Sequence, residues 1–352
     1  MYKAEYKKYL LKFKHPSGTS RGVLTEKPAY FIKIWEDGTR SVIGIGECSI
    51  LKGLSVDDVD NYEEFLKYVC ENINVYIQNL TSELLAFPSI LFGVETALKD
   101  LKNNGTRILF PSNFTGGLEG IPTNGLIWMG TVEFIKKQLK EKIEAGFRCI
   151  KIKIGAIGFE EELSMLSELR MEYQENDLEI RLDANGAFAD NEALNKLEQL
   201  AVFKIHSIEQ PIKQGNREEM AKLCRRSPIP IALDEELIGV LKDEEKERLV
   251  SQILPGYLII KPSLLGGFKH SEEWIEIANK YKVGWWITSA LESNIGLNAI
   301  AQWTYTLNSK LPQGLGTGQL YTNNIPSPLL MEDTKLWYLG RDWNLDRIET
   351  AE

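Results

Sequence analysis

Lysine and carboxylate side chains close a succession of short apolar segments along this chain. Lys151 and Lys153 alternate with isoleucine in Ile150-Lys151-Ile152-Lys153-Ile154-Gly155. Asp183 ends Ile180-Arg181-Leu182-Asp183, Glu209 ends Ile205-His206-Ser207-Ile208-Glu209, Asp234 ends Ile229-Pro230-Ile231-Ala232-Leu233-Asp234, and Lys261 ends Leu258-Ile259-Ile260-Lys261. The interval, roughly 25–30 residues, is that of a strand–helix–strand unit. Each charged residue therefore sits at the C-terminal end of a strand. In a (β/α) barrel those ends converge on one mouth. Three carboxylates meeting there repel unless a cation or a shared proton intervenes. An all-oxygen donor set suits a hard divalent ion, Mg2+ first, with Mn2+ as the alternative. A lysine beside a second ammonium and a metal ion is expected to have a lowered pKa and to serve as a base near neutral pH. The chemistry suggested is removal of a proton next to a carboxylate.

Taken singly, Asp183, Glu209 or Asp234 reads as a structural acid or helix cap, and Lys151 as a solvated strand lysine. Their ordered recurrence changes that. Lys-x-Lys (151, 153), Asp183-Ala184-Asn185, Glu209-Gln210-Pro211, Asp234-Glu235 and Lys261-Pro262 together resemble the enolase superfamily, muconate-lactonizing subgroup. The resemblance implies an α/β fold, a modified TIM barrel (β/α)7β with an α+β capping domain. It assigns the metal to Asp183, Glu209 and Asp234, the base to the second lysine, Lys153, support to Lys151, and the opposing charge to Lys261. Asn185 is a candidate metal-site support or carboxylate contact. His206 reads as structural.

The subgroup's activities, namely o-succinylbenzoate synthase, muconate cycloisomerase, dipeptide epimerase and N-acylamino acid racemase, share those lysines and that metal. Dipeptide epimerases typically carry an Asp-x-Asp after the eighth strand to hold an ammonium, whereas Gly314-Leu315-Gly316-Thr317-Gly318 holds no acid. Ser289-Ala290-Leu291-Glu292-Ser293-Asn294-Ile295-Gly296 resembles the synthases' segment after the seventh strand. The resemblance thus points to the lyase of menaquinone biosynthesis that dehydrates a succinylated cyclohexadiene carboxylate. Ser289, Glu292 and Ser293, with free N–H groups at the following helix start, are candidate contacts for a succinyl tail. Ser293 or Asn294 serving only as that helix's cap is the competing reading.

The elements that must position these residues follow. Alternating residues at 2–13, 28–36 and 41–48 form an antiparallel meander. Between its first two strands, residues 15–22 read as a mobile Gly/Ser/Pro loop, from which Arg21 is a candidate for a substrate carboxylate. Helices are expected from Ser55, as N-cap, and over 89–101. The breaker-rich stretch 111–122 reads as a linker. Seven strand–helix steps then occupy 123–307, and 313–316 offers at most a short eighth strand. The expected division is 1–115 as capping domain, completed by the tail 321–352, and 116–320 as barrel.

The chain has 352 residues, 43% apolar and 26% charged, with a net charge of −9. That balance is one of an ordinary globular protein and argues against nucleic acid as a partner, since phosphate binding wants a basic surface. The expected partner is a small-molecule carboxylate, and oligomeric state stays open. Four separated cysteines (48, 70, 149, 224) without a CxxC pair read as free thiols of a reducing compartment. No apolar run approaches membrane-spanning length and no leader-like segment opens the chain. A cytoplasmic enzyme is expected.

Overall fold

The computed structural model describes residues 1–19, 22–339 and 342–350. Arg21 therefore lies outside the described residues. The chain opens with β1 (Tyr2–Thr19), β2 (Gly22–Glu36) and β3 (Gly44–Cys48), an antiparallel sheet of order β1-β2-β3. Four helices follow: α1 (Tyr62–Glu71), α2 (Ile73–Tyr76), α3 (Leu80–Glu83) and α4 (Pro88–Lys102). β2 is central and buried on both faces. Tyr30, Ile32 and Ile34 face α1 and α4, while the intervening Ala29 and Phe31 face Leu291, Ile295, Tyr321 and Ile348. The period-2 alternation of a strand thus splits two cores. α4 lies so close on β3 that a Cβ at Gly44 would stand 2.0 Å from Ala97 O, and one at Gly46 1.9 Å from Gly93 O.

Two expectations fail here. Residues 15–22 are not a free loop at their described positions. The β1–β2 ladder shifts register between Lys12 and Ser17 and then continues to Thr19↔Gly22. Nor does a helix start at Ser55. Its hydroxyl accepts from Leu51 N (2.8 Å), and the Asp58 carboxylate accepts from Gly53 N (2.6 Å). These local side-chain bonds favour turns over helix, so α1 begins at Tyr62.

After β4 (Ile121–Pro122), a parallel sheet runs in the order β11-β10-β9-β8-β7-β6-β5. Its strands and helices alternate: β5 (Gly125–Ile127), α5 (Val132–Glu144), β6 (Cys149–Lys153), α6 (Phe159–Glu172), β7 (Glu179–Asp183), α7 (Asp190–Ala201), β8 (Ser207–Glu209), α8 (Arg217–Arg226), β9 (Ile231–Leu233), α9 (Asp243–Ile253), β10 (Tyr257–Ile260), α10 (Pro262–Leu265), α11 (Gly267–Lys280), β11 (Gly284–Ile287) and α12 (Asn294–Thr306). Gln313 and Gly314 close the ring, bridging to Thr123 and Thr288 in parallel. This is a modified TIM barrel with seven full strand–helix steps and a two-residue eighth strand, covered by an α+β cap. α11 begins at Gly267. Gly267 (φ 85°) lets the chain pass where a Cβ would stand 2.2 Å from Glu95 Oε2, and Phe268 N donates to that oxygen at 2.8 Å.

Below the mouth the barrel is filled. Arg181 is buried, donates to Glu179 Oε1 (2.8 Å) and Pro312 O (2.9 Å), and lies 4.3 Å from the Trp286 ring. His206 shares this floor, 3.2 Å from Tyr257 OH and far from the strand tops, which is a structural setting. The tail forms β12 (Leu329–Glu332), β13 (Lys335–Tyr338) and α13 (Asp346–Glu349). β13 pairs with β4, Tyr338 packs on the barrel core, and Tyr321, Trp343, Leu345 and Ile348 pack with Leu11 and Phe31 of the cap sheet. The four cysteines are free. Among the described residues no helix is long and apolar enough to cross a membrane.

Candidate active site

At the strand tops, β6 ends in Lys153 and β7 in Asp183, which pair in register, and Asp183 pairs in turn with Glu209 at the end of β8. Asp234 and Lys261 immediately follow β9 and β10. Strand order therefore places Lys153 and Lys261 four positions apart in an eight-membered ring, on opposite sides of the mouth.

Lys151 Nζ bridges Glu209 Oε2 at 2.5 Å and Asp183 Oδ2 at 2.9 Å. Lys153 Nζ lies 3.1 Å from Asp183 Oδ2, donates to Asn185 Oδ1 at 2.8 Å, and stands 5.8 Å from the Trp128 ring. Lys261 pairs with Asp234 Oδ2. Asn185 N donates to Asp183 Oδ1 (3.1 Å) and Asn185 Nδ2 to Glu235 Oε1 (3.1 Å). Two non-glycine residues at these strand tops hold positive φ, Asn185 (43°) and Gln210 (41°), a strained geometry that concentrates at functional sites. The Gln210 side chain fixes Asp234, accepting from Asp234 N at 3.3 Å and from Glu236 N at 3.4 Å.

Burial by itself would lower the Lys151 ammonium's pKa, but Asp183, Glu209 and Asp234 outweigh it and hold it well above the usual lysine range. Lys261 is likewise raised, burial being overcome by Asp234 and Glu209. Both ammonium groups face carboxylates directly. Asp183 is also buried, yet Lys151 and Lys153 hold its carboxyl far below the usual range. Burial and the Asp183 charge push Glu209 up to about 7.

Glu209 Oε1 and Glu235 Oε2 are buried acceptors without a hydrogen-bond partner. An orphaned carboxylate oxygen beside further carboxylates is what a hard cation would satisfy, so Asp183, Glu209 and Asp234 have the donor chemistry for a divalent metal, although with Lys151 and Lys261 paired to them their oxygens do not all lie within 4.8 Å of one another. Elsewhere, among the described residues, Asp243, His270 and Glu273 bring three ligand atoms within 4.8 Å of one another. Lys246 already stands among them, 3.2 Å from Asp243 Oδ1 and 3.1 Å from His270 Nδ1, so that cluster carries its own cation.

A cavity opens over the strand tops. Its floor includes Lys151, Lys153, Asp183, Asn185, Asp234 and Lys261, and its walls include Leu24, Leu51, Leu54, Leu126, Trp128 and Leu291. Ser289 lines it too, its hydroxyl 2.5 Å from Thr317 Oγ1. Glu292 and Ser293 do not. Both are buried behind the wall. Glu292 accepts from Ala290 N (2.7 Å) and from Ser263 Oγ, and Ser293 caps α12 by accepting from Ile295 N at 3.1 Å. The helix start expected to hold a succinyl tail instead holds Glu47 of β3, whose carboxylate accepts from Ser293 N (2.9 Å), Ser293 Oγ (2.5 Å) and Gly296 N (2.9 Å). Buried Lys27 stands beside it, donating to Ser49 Oγ at 2.5 Å. Its pKa is lowered by burial, which Glu47 and Glu292 only partly oppose.

Sequence reasoning missed Trp128 and the buried Lys27 and Glu47, and it set Glu235 aside as a charge beside Asp234. Trp128 directly follows a strand, a usable signal. Lys27 and Glu47 sit in apolar, strand-like surroundings where a charge implies a partner that sequence does not name.

Residues 135–336 match the family model "Enolase C-terminal domain-like". The chain belongs to this enolase family. Within it, the chain is 44% identical to o-succinylbenzoate synthase of Desulfotalea psychrophila, over 93% of this chain and 96% of that one. The crystal structure of MenC from Desulfotalea psychrophila superposes with a TM-score of 0.85 at 40% identity, covering 96% of this chain and 99% of that one. Muconate lactonizing enzyme from Pseudomonas fluorescens, complexed with muconolactone, shares the fold at a TM-score of 0.83 and 22% identity, over 99% of this chain and 98% of that one.

Proposed function

We propose that the chain acts as an o-succinylbenzoate synthase, a carbon–oxygen lyase dehydrating 2-succinyl-6-hydroxy-2,4-cyclohexadiene-1-carboxylate to 2-succinylbenzoate in menaquinone biosynthesis. The observation that carries this reading is the placement of Lys153 and Lys261 on opposite sides of one cavity, above three carboxylates. The 44% identity to the synthase of Desulfotalea psychrophila supports it. The absence of an acid among Gly314, Gly316 and Thr317 of the cavity wall speaks against an ammonium-bearing dipeptide.

Mg2+, with Mn2+ as the alternative, is the cation assigned to Asp183, Glu209 and Asp234, and when bound it supplies positive charge to the substrate's ring carboxylate. Lys153 takes the proton from the ring carbon bearing that carboxylate. Asn185 and Asp183 orient its nitrogen. Lys151 locks Asp183 and Glu209 in place across the floor. Lys261, facing from the opposite side, stabilises the negative charge that builds on the carboxylate oxygens. The proton held by Lys153 then passes to the hydroxyl leaving the neighbouring carbon, water departs, and the ring becomes aromatic. Aromatisation makes this elimination strongly downhill.

On the same reading, residues 1–115 with 321–352 form the cap and 116–320 the catalytic barrel. Four free thiols fit a cytoplasmic setting. The test is conversion of the diene to 2-succinylbenzoate by purified protein with Mg2+, followed by loss of diene absorbance. Turnover abolished by EDTA is the expected result. Solvent deuterium entering N-succinyl amino acids without diene turnover would move the assignment to a racemase.

A further inference from the structure

The substrate carries two carboxylates, and the site described so far neutralises one. Placing the second, on the succinyl tail, in a largely apolar cavity without a partner is costly. The start of α12 is not available, because Glu47 already accepts from Ser293 N and Gly296 N. Lys151, Lys153 and Lys261 are each held by floor carboxylates. One more described cation lines the cavity: Lys52, from the segment after β3. It is exposed and makes no ion pair among the described residues. Its backbone is held by a tight turn in which Leu54 N and Ser55 N donate to Leu51 O (3.0 and 2.9 Å) and Gly53 N donates to Asp58 Oδ2 (2.6 Å). Leu51 and Leu54 on either side also line the cavity, offering apolar contact to the tail's methylene groups.

We infer that Lys52 is the specificity-determining residue that receives the distal carboxylate of the succinyl tail. The inference rests on the synthase reading and adds its second anion site. The cap thereby reads the tail while the barrel carries out the elimination. A substrate without the tail carboxylate forgoes this ion pair and binds as an apolar ligand.

The test compares two inhibitors of diene turnover: 2-succinylbenzoate, and 2-butanoylbenzoate, in which a methyl group replaces the tail carboxylate. The wild-type protein binds the first about 10- to 100-fold more tightly, the worth of a charge-assisted hydrogen bond. Lys52→Gln brings the two inhibition constants within about threefold, by weakening the first, and Lys52→Arg restores the difference. A Lys52→Gln variant that keeps the wild-type preference overturns the assignment. So does its loss on Arg21→Gln with Lys52 intact. Diene turnover by the wild type is scored separately. Its absence would remove the synthase reading and the inference with it, whereas turnover with an unchanged preference removes the inference alone.

Discussion

Glu47 Oε1 accepts a hydrogen bond from Ser293 N at 2.9 Å, joining two residues that lie 246 positions apart. One belongs to the cap sheet and the other begins the helix after the barrel's seventh strand. The same carboxylate takes Ser293 Oγ and Gly296 N, so a cap residue supplies the anion that the positive end of α12 favours. The residues flanking this contact, Leu51 and Lys52 on one side and Ser289 to Leu291 on the other, line the cavity. The contact therefore sets how cap and barrel walls face each other.

Replacing Glu47 with alanine leaves two buried N–H groups and a hydroxyl without an acceptor. A destabilisation of about 2–4 kcal/mol is expected, with Glu47→Gln, which keeps one carbonyl oxygen, less affected. Thermal melts of the three proteins check the order. A Glu47→Ala protein melting with the wild type would contradict it.

Glu95 gives a pH-dependent counterpart. Burial pushes its carboxyl up to about 7, against the hydrogen bond from Phe268 N. The folded state therefore holds the proton more tightly than an unfolded glutamate does. The stability this contributes is complete below about pH 4.5 and is lost as pH rises through about 7. At about 1.4 kcal/mol per pK unit, Glu95→Gln should gain up to ~3 kcal/mol relative to wild type between pH 5 and pH 8. Urea unfolding at the two pH values measures this, and a constant difference would contradict it.

The shared mouth of the barrel was legible because the fold repeats. One charged residue per strand–helix unit, at the same end of each strand, implies a shared mouth whatever the loops do. Lys151, Lys153, Asp183, Glu209, Asp234 and Lys261 meet there for that reason. Ser293 and Glu292 misled for the opposite reason. A helix start in sequence looks like an open anion site, and the group that fills it, Glu47, comes from another part of the chain. Ser55 misled because hydroxyl-to-backbone bonds serve turns as readily as helix caps. The hairpin over 15–19 pairs across a register shift that alternation alone does not reveal.

Divalent metal should stabilise the folded protein by mass action. Millimolar Mg2+ is expected to raise the melting temperature by several degrees at pH 8. The rise shrinks at pH 6, because Glu209, with its carboxyl pushed up to about 7, must give up its proton to bind the ion. Glu209→Gln should abolish the rise. Scanning fluorimetry with and without EDTA reads all three, and a Glu209→Gln protein stabilised like wild type would remove Glu209 from the ligand set.

Lys153 as the base is the central claim, and Lys153→Ala tests it most directly. With folding checked by circular dichroism and Mg2+ saturating, diene consumption is compared with wild type in a stopped-flow absorbance trace. The expected result is a rate at least ~10³-fold below wild type, the contribution of a positioned general base. A folded Lys153→Ala protein within about tenfold of the wild-type rate would contradict the account.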